Sequence, residues 1–186
     1  MRKIIDLIKA SFARAYRLSL TNERQESLVW QDLKKLHVEA EWRSGVYEAD
    51  KYLETVFSIA DEIPGVYQYW ITENELHCTV KVLDGFSPEL TTDVFVLASH
   101  FNNHLKNGVV AVNVDAATVS YQLSQNILLP LLYKGEIYEQ LISHFNLSKD
   151  VFWAFQRLVR EEEEPAIIFA DLMKKINQNR AEAETN

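Results

Sequence analysis

The stretch 66-VYQYWITENELHCTVKVL-83 decides the fold of this chain. Both halves are rich in β-branched and aromatic residues, and the polar pair Glu73-Asn74 between them suits a tight turn. In the second half apolar residues alternate with polar ones, which indicates a strand with one buried face and one wetter face. The apolar series is Leu76, Cys78, Val80 and Val82. The stretch therefore predicts two strands of an antiparallel sheet.

A second hairpin is predicted further along the chain, from Val109 to Val114 and from Thr118 to Leu123. Between the two hairpins, Ser87-Pro88 predicts the start of a helix, because serine caps helices and proline suits the first helical position. That helix is expected to reach about Lys106, since Asn107-Gly108 is typical of a helix end.

Apolar residues at helical spacing predict helices on both sides of the hairpins. The predicted helices are residues 1–20, Asn22 to Leu36, Ala49 to Ile63, Glu136 to Phe145, Lys149 to Arg160 after a Ser148 cap, and a last one that begins at Pro165. This order has too few βαβ crossovers for a parallel sheet. We expect an α+β fold in which helices flank an antiparallel sheet of two hairpins.

The composition limits the classes of function. The chain has 186 residues, of which 47% are apolar and 25% charged, the balance of an ordinary globular domain. No apolar run approaches the roughly 20 residues that cross a bilayer. The net charge of −8 repels phosphate backbones, so we expect no nucleic-acid partner. The single cysteine, Cys78, fits a reducing compartment, and we expect a cytoplasmic location.

The N-terminal segment differs in charge from the rest. Residues 1–20 carry five basic side chains and one acidic one, Asp6, which gives +4 and leaves −12 for residues 21–186. A basic amphipathic helix can lie on an anionic membrane or dock on a partner. From the sequence we favour a helix that packs on its own acidic domain or on a second subunit. A peripheral membrane or assembly protein anchored by helix 1–18 is an alternative function.

The central part of the chain has a characteristic order of elements. A helix ends in 100-HFNNHLKNG-108, strands follow as 109-VVAVNVDA-116 and 118-TVSYQL-123, and another helix is predicted near Tyr133. In this pattern residues 50–160 resemble the YbjN-like family of the type III secretion chaperone-like superfamily. The resemblance implies a small α+β fold, often dimeric, without a known enzymatic reaction and linked to protein binding, chaperoning or regulation.

The resemblance also implies a division of the chain. We expect an N-terminal helical extension at 1–48, a YbjN-like α+β domain at 49–162, and a C-terminal helix with a polar tail at 163–186. Asn102 and Asn103 stand where the family often has asparagine. Either they hydrogen-bond to nearby backbone at the helix end, or they form a polar binding spot where helix and sheet meet.

Few residue patterns point to catalysis. His100 and His104 are one helical turn apart and could share a metal ion, but a metal site needs a third ligand. Glycine-rich phosphate loops, Gly-x-Ser-x-Gly and Cys-x-x-Cys are absent from the sequence. We therefore expect no catalytic residues and no cofactor. A metal-dependent enzyme that uses His100 and His104 is a second alternative.

Aromatic side chains are candidates for an interface with another polypeptide. The candidates are Tyr67, Tyr69, Trp70, Phe152, Trp153 and Phe155. The last three lie too close together on one helix to face the core together. From the sequence we expect a non-enzymatic, chaperone-like or regulatory protein that forms a homodimer and binds another polypeptide through its sheet face or its exposed aromatic surface.

Overall fold

The described part of the chain contains six α-helices and six strands. The structure is a computed structural model that describes the backbone of residues 2–133 and 135–185 and the side chains of residues 9–133 and 135–178. The helices are α1 (Arg2–Leu18), α2 (Asn22–Glu39), α3 (Thr91–His104), α4 (Leu128–Leu132), α5 (Gly135–Glu161) and α6 (Pro165–Thr185). The strands are β1 (Ser44–Tyr47), β2 (Tyr52–Ala60), β3 (Ile63–Thr72), β4 (Glu75–Asp84), β5 (Val109–Asn113) and β6 (Thr118–Asn126).

The strands form one antiparallel sheet in the order β1-β2-β3-β4-β6-β5. Two backbone hydrogen bonds bracket the β4–β6 pair: Gly85 N–H to Ala117 O (3.0 Å), and Ile127 N–H to Asn74 O (2.9 Å). Each bond joins the end of one strand to the start of the other, so β6 runs antiparallel to β4. The predicted α+β class is confirmed, and both predicted hairpins belong to a single sheet that is two strands wider than expected.

The helix predicted from Ala49 to Ile63 is wrong, because most of this segment is strand β2. Its residues fit a helical stripe, but Leu53, Thr55 and Ile59 are the ones the structure buries. They lie an even number of residues apart, as a strand with one buried face requires. The first half of β2, Tyr52 to Thr55, pairs with β1 in antiparallel register. Pro64 and Gly65, which directly follow the predicted helix and should have ended it, lie inside β3.

The two helices predicted on either side of Ser148 are also wrong, because α5 is continuous through this residue. The Ser148 hydroxyl donates to the carbonyl oxygen of Phe145 (2.7 Å) and lies 2.8 Å from the hydroxyl of Tyr67. A carbonyl oxygen can only accept a hydrogen bond, so the Ser148 hydroxyl donates its single proton to Phe145 O. The Tyr67 hydroxyl therefore donates to the Ser148 oxygen. A tertiary partner for the hydroxyl thus replaces the predicted capping role.

Several other predicted elements are confirmed. Helix α2 extends to Glu39 and has Thr21 as its N-cap, and α6 begins at Pro165. Glu73 and Asn74 have φ of 52° and 59°, the left-handed conformation that a tight hairpin between right-twisted strands requires. Helix α6 continues to Thr185 through the predicted polar tail, whereas Met1 and Asn186 lie outside the described residues.

Two units interleave along the chain. Unit 1 comprises residues 2–55, 68–78 and 124–143 without Lys134, and unit 2 comprises residues 56–67, 79–123 and 144–185. The predicted division at 1–48, 49–162 and 163–186 does not coincide with these units.

In unit 1, helix α2 packs on the buried side of β3. The His37 ring centroid lies 5.8 Å from that of Tyr69 and 5.1 Å from that of Trp42, and its Nδ1 donates to Leu33 O (3.0 Å). Burial lowers the pKa of His37. Glu26 accepts from Lys51 Nζ (2.7 Å) and from the backbone N–H of Asn74 (3.0 Å). Helix α2 therefore holds both the start of β2 and the β3–β4 turn.

In unit 2, the second half of α5 packs on the buried side of β3 and β6. His144 is fully buried, with its ring stacked on Tyr121 (5.0 Å between centroids) and perpendicular to Tyr67 (5.8 Å). Burial lowers the pKa of His144 to about 4. The imidazole is therefore neutral in the folded chain at neutral pH.

This buried imidazole predicts acid-sensitive stability. An unfolded His144 takes up a proton below pH 6.5 while the folded one does not, so the free energy of unfolding falls as pH drops from 6.5 towards 4. The fall attributable to His144 between pH 7.5 and pH 5 is about 2 kcal/mol. Urea denaturation at several pH values measures it, and the His144→Leu variant is expected to show a flatter dependence.

The surface variant Asn103→Ala provides the control for this measurement. We expect it to retain the wild-type pH dependence, because it leaves the buried His144 imidazole unchanged. Equal slopes for His144→Leu and wild type would contradict the assignment.

Candidate functional site

One face of the sheet in unit 1 carries polar and aromatic side chains from four strands. Along β3, Tyr69 and Ile71 are buried, whereas Gln68 and Trp70 point to the opposite face and are half-buried. By the same alternation on β4, Leu76 and Cys78 point to the buried face, whereas His77 points to the same face as Trp70. We define the outer-face cluster by its six residues, Tyr52, Glu54, Gln68, Trp70, His77 and Ser124.

The centre of the outer-face cluster is an aromatic stack on β3 and β4 that is hydrogen-bonded to β6. The rings of Trp70 on β3 and His77 on β4 are nearly parallel, 15° apart, with centroids separated by 5.1 Å. His77 Nδ1 lies 2.7 Å from Ser124 Oγ on β6. His77 Nε2 lies 4.0 Å from a carboxylate oxygen of Glu75. The indole is therefore stacked on a ring that is itself positioned by a hydrogen bond.

A second part of the outer-face cluster centres on a carboxylate. Glu54 accepts from the Tyr52 hydroxyl (2.8 Å) and from Gln68 Nε2 (3.3 Å). Burial, followed by the hydrogen bond to Glu54, raises the pKa of Tyr52 to about 12, so the phenol remains a donor throughout the physiological range. The neighbouring Tyr47 ring lies 5.3 Å from Tyr52 and is 54% exposed.

Chemically, the outer-face cluster combines an aromatic centre with carboxylates. The stack offers an aromatic area, and Glu54 and Glu75 supply negative charge on the same face. Ser124, His77 and Glu75 are residue types of hydrolytic triads, but the 4.0 Å between His77 and Glu75 exceeds a hydrogen bond. The Ser124–His77 pair is thus not completed to a triad by a hydrogen bond to Glu75.

The structure separates the six aromatic residues proposed for an interface. Tyr67, Tyr69 and Phe155 are 0% exposed and belong to the core, so they offer no surface to a partner. This part of the prediction is wrong because alternate strand positions, and one side of α5, face inward. Trp70 is in the outer-face cluster. Phe152 and Trp153 are half-buried on α5 in unit 2.

Trp153 is covered by cations of its own unit. The Arg157 guanidinium lies 4.8 Å and the Lys175 ammonium 5.5 Å from its ring centroids. Arg157 also pairs with Glu161, Glu163 and Asp171 at the corner between α5 and α6. This network lets a large aromatic residue remain on a helix surface, because each cation shields part of the indole face.

Asn102 bonds the backbone at the edge of the sheet. Its amide nitrogen donates to Val110 O (3.0 Å), and its amide oxygen accepts from Val110 N–H (2.7 Å). Val110 is on β5, an edge strand, and both of these groups point away from β6. The Asn102 amide therefore supplies Val110 with the two hydrogen bonds that a further strand would otherwise supply. Asn103 is exposed beside it.

The turn between α3 and β5 requires glycine. Gly108 has φ of 84°, and a Cβ there would lie 2.7 Å from Gln122 O and 2.7 Å from the Tyr121 hydroxyl oxygen. The Tyr121 hydroxyl donates to Asn107 O (3.2 Å). The turn thus places α3 so that Asn102 reaches Val110.

His100 and His104 both pack against Phe169 of α6. Their ring centroids lie 5.3 Å and 4.7 Å from that of Phe169, and His104 Nδ1 donates to His100 O (2.9 Å). Within the described ranges, no group of three or more His, Cys, Asp or Glu side chains is placed to hold a metal ion. The third ligand that a metal site at His100 and His104 needs is therefore missing from the described side chains.

Several residues of the outer-face cluster were not anticipated as a site. Sequence alternation predicts that His77 points away from Cys78, but it does not show that Trp70, His77 and Ser124 lie side by side. Their proximity depends on β6 returning next to β4. Glu54 and Tyr52 were missed because their segment was predicted as a helix.

Comparison with known proteins assigns neither a family nor a function to the chain. No family model matches the chain, and no curated protein matches it. None of the helices in the described part of the chain has both the length and the apolar composition needed to cross a bilayer. The similarity to the YbjN-like family stays a prediction.

The bonds made by Asn102 predict a measurable loss of stability. Asn102→Ala leaves both polar groups of Val110 without this partner, and we expect a loss of about 1 kcal/mol in the free energy of unfolding. Amide hydrogen exchange should accelerate at Val110. Urea denaturation and exchange measured by NMR test both expectations. Asn103→Ala is the matched control and should change stability by less than about 0.5 kcal/mol; equal effects of the two variants would contradict the assignment.

Proposed function

We propose that the chain is a non-enzymatic, polypeptide-binding protein of chaperone-like or regulatory type, and that the outer-face cluster is its contact surface. The observation that carries the proposal is the Trp70–His77 stack, which presents a fixed aromatic surface between carboxylates. Tryptophan residues held in one conformation are frequent centres of binding energy, because little side-chain entropy is lost when a partner covers them. The resemblance to the YbjN-like family supports the same class of function.

The charges beside the stack define the partner further. Glu54 and Glu75 flank the aromatic centre, and the chain as a whole carries −8. We propose a segment with one apolar or aromatic side chain for the stack and lysine or arginine next to it. Such complementarity steers encounter and sets the register of binding. The edge at β5 is less suited to strand addition, because Asn102 already bonds Val110.

Selection from a random peptide library on the wild-type chain tests this function. We expect selected peptides to combine an apolar or aromatic residue with basic neighbours. Trp70→Ala should weaken their binding about tenfold or more, and Glu54→Gln should weaken it less. Titrations followed by fluorescence anisotropy of labelled peptides give the affinities, and circular dichroism checks that each variant is folded.

Trp153→Ala is the matched control for this experiment, because it removes the same side chain from α5. Affinities should stay within about twofold of wild type. If Trp153→Ala abolishes binding and Trp70→Ala does not, the contact surface is on α5. An absence of selected peptides would contradict a polypeptide-binding role for the isolated chain.

We further propose a homodimer in the cytoplasm. The free, buried Cys78 is in keeping with a reducing compartment. Light scattering over a range of concentrations should give about twice the chain mass of 21.6 kDa. A mass equal to that of one chain at every concentration would contradict the dimer.

A further inference from the structure

The His77 imidazole lies between a hydroxyl group and a carboxylate. Its Nδ1 is 2.7 Å from the hydroxyl oxygen of Ser124, which is within hydrogen-bond distance. Its Nε2 is 4.0 Å from a carboxylate oxygen of Glu75, which is beyond that distance. Nε2 is buried and has no hydrogen-bond partner among the described residues. The ring is thus hydrogen-bonded through one of its two nitrogens.

A neutral imidazole leaves Nε2 unsatisfied in this position. The neutral ring carries one proton, either on Nδ1 or on Nε2. With the proton on Nδ1, the ring donates to Ser124, and the lone pair of Nε2 lies beside the carboxylate of Glu75. With the proton on Nε2, Ser124 donates to Nδ1, and the Nε2–H group has no acceptor within hydrogen-bond distance among the described residues. Neither neutral form therefore bonds both nitrogens.

A protonated imidazole can bond through both nitrogens. Both ring nitrogens of an imidazolium are donors, so Nδ1–H bonds Ser124 and Nε2–H can donate to Glu75. The Glu75 side chain is 45% exposed, against 19% for His77, so the carboxylate is free to move closer. Protonation therefore turns the 4.0 Å approach into an ion pair. Histidine side chains ordinarily change charge between pH 5 and 8.

The aromatic stack of the outer-face cluster is compatible with this change. The rings of Trp70 and His77 are 15° apart, with their centroids separated by 5.1 Å. A cation over the face of an indole, within about 6 Å of its centroid, is attracted to the ring. The imidazolium therefore stays stacked on Trp70, and what changes at this surface is its charge.

The charged groups that share this face with His77 in unit 1 are acidic. Glu75 is on the same strand, and Glu54 on β2 is the carboxylate of the outer-face cluster. Tyr52 stays a neutral phenol, because burial raises its pKa to about 12. The other cluster members, on β3 and β6, carry no charge, and they are Gln68, Trp70 and Ser124. Protonation of His77 therefore makes an acidic face less negative by one charge.

We propose that protonation of His77 switches peptide binding at the outer-face cluster, so that a basic segment is held at neutral pH and released at mildly acidic pH. In the acidic form Glu75 is paired with the imidazolium rather than with a lysine or arginine of the partner. The imidazolium also repels these side chains. This proposal rests on the peptide-binding function proposed above, and it adds the regulation of that site.

Fluorescence anisotropy at pH 8 and pH 5.5 tests the switch, with the full chain and the basic peptides selected on it. We expect the dissociation constants to rise about fivefold or more at pH 5.5. The readout is the ratio of the constants at the two pH values, so a variant with altered affinity at pH 8 can still be compared. His77→Gln should reduce the ratio to less than about twofold. A peptide with glutamine in place of its basic residues should bind the wild-type chain with a ratio below about twofold.

His104→Gln is the matched control, because it removes a histidine of α3 that is outside the outer-face cluster. It should keep the wild-type ratio. Circular dichroism at both pH values checks that each variant is folded, since the buried His144 makes the chain less stable in acid. Equal affinities at the two pH values, or a wild-type ratio in His77→Gln, would overturn the switch and leave the proposed function in place. An absence of peptide binding at pH 8 would overturn both.

Discussion

The two-residue alternation of strand β3 is the constraint on which the rest of the structure depends. It sends Tyr67 and Tyr69 to the buried side and Gln68 and Trp70 to the other. Tyr67 contacts His144 and Ser148 in unit 2, and Tyr69 contacts His37 in unit 1. A shift of pairing by one residue would exchange these sets, exposing two tyrosines and burying an amide and an indole. The pairing register of β3 therefore determines both which of its residues enter the core and which belong to the outer-face cluster.

Polar groups within the helices are satisfied by the sheet, and this explains features that local sequence rules misjudge. Ser148 lies in the middle of α5, where its hydroxyl accepts from Tyr67 and donates to a backbone carbonyl. Asn102 is near the end of α3, where its amide bonds both backbone groups of Val110. Serine and asparagine side chains often hydrogen-bond to backbone nearby in the sequence. Here each one also bonds a residue of a strand, and this bond fixes the position of its helix on that strand.

The sequence by itself determined the elements whose signals are local. The Glu73-Asn74 hairpin, the Asn107-Gly108 turn and the Pro165 helix start follow from backbone preferences of a few residues, and the alternation in β4 follows from its apolar residues. Tertiary structure decided what the local pattern left open. Residues 52–60 fit both a helix and a strand, and pairing with their neighbours selects the strand. The outer-face cluster exists because β6 returns beside β4. Within unit 1, Arg17 of α1 donates to Asp32 on α2 and to the carbonyl oxygen of Leu131 on α4, contacts that no local periodicity contains.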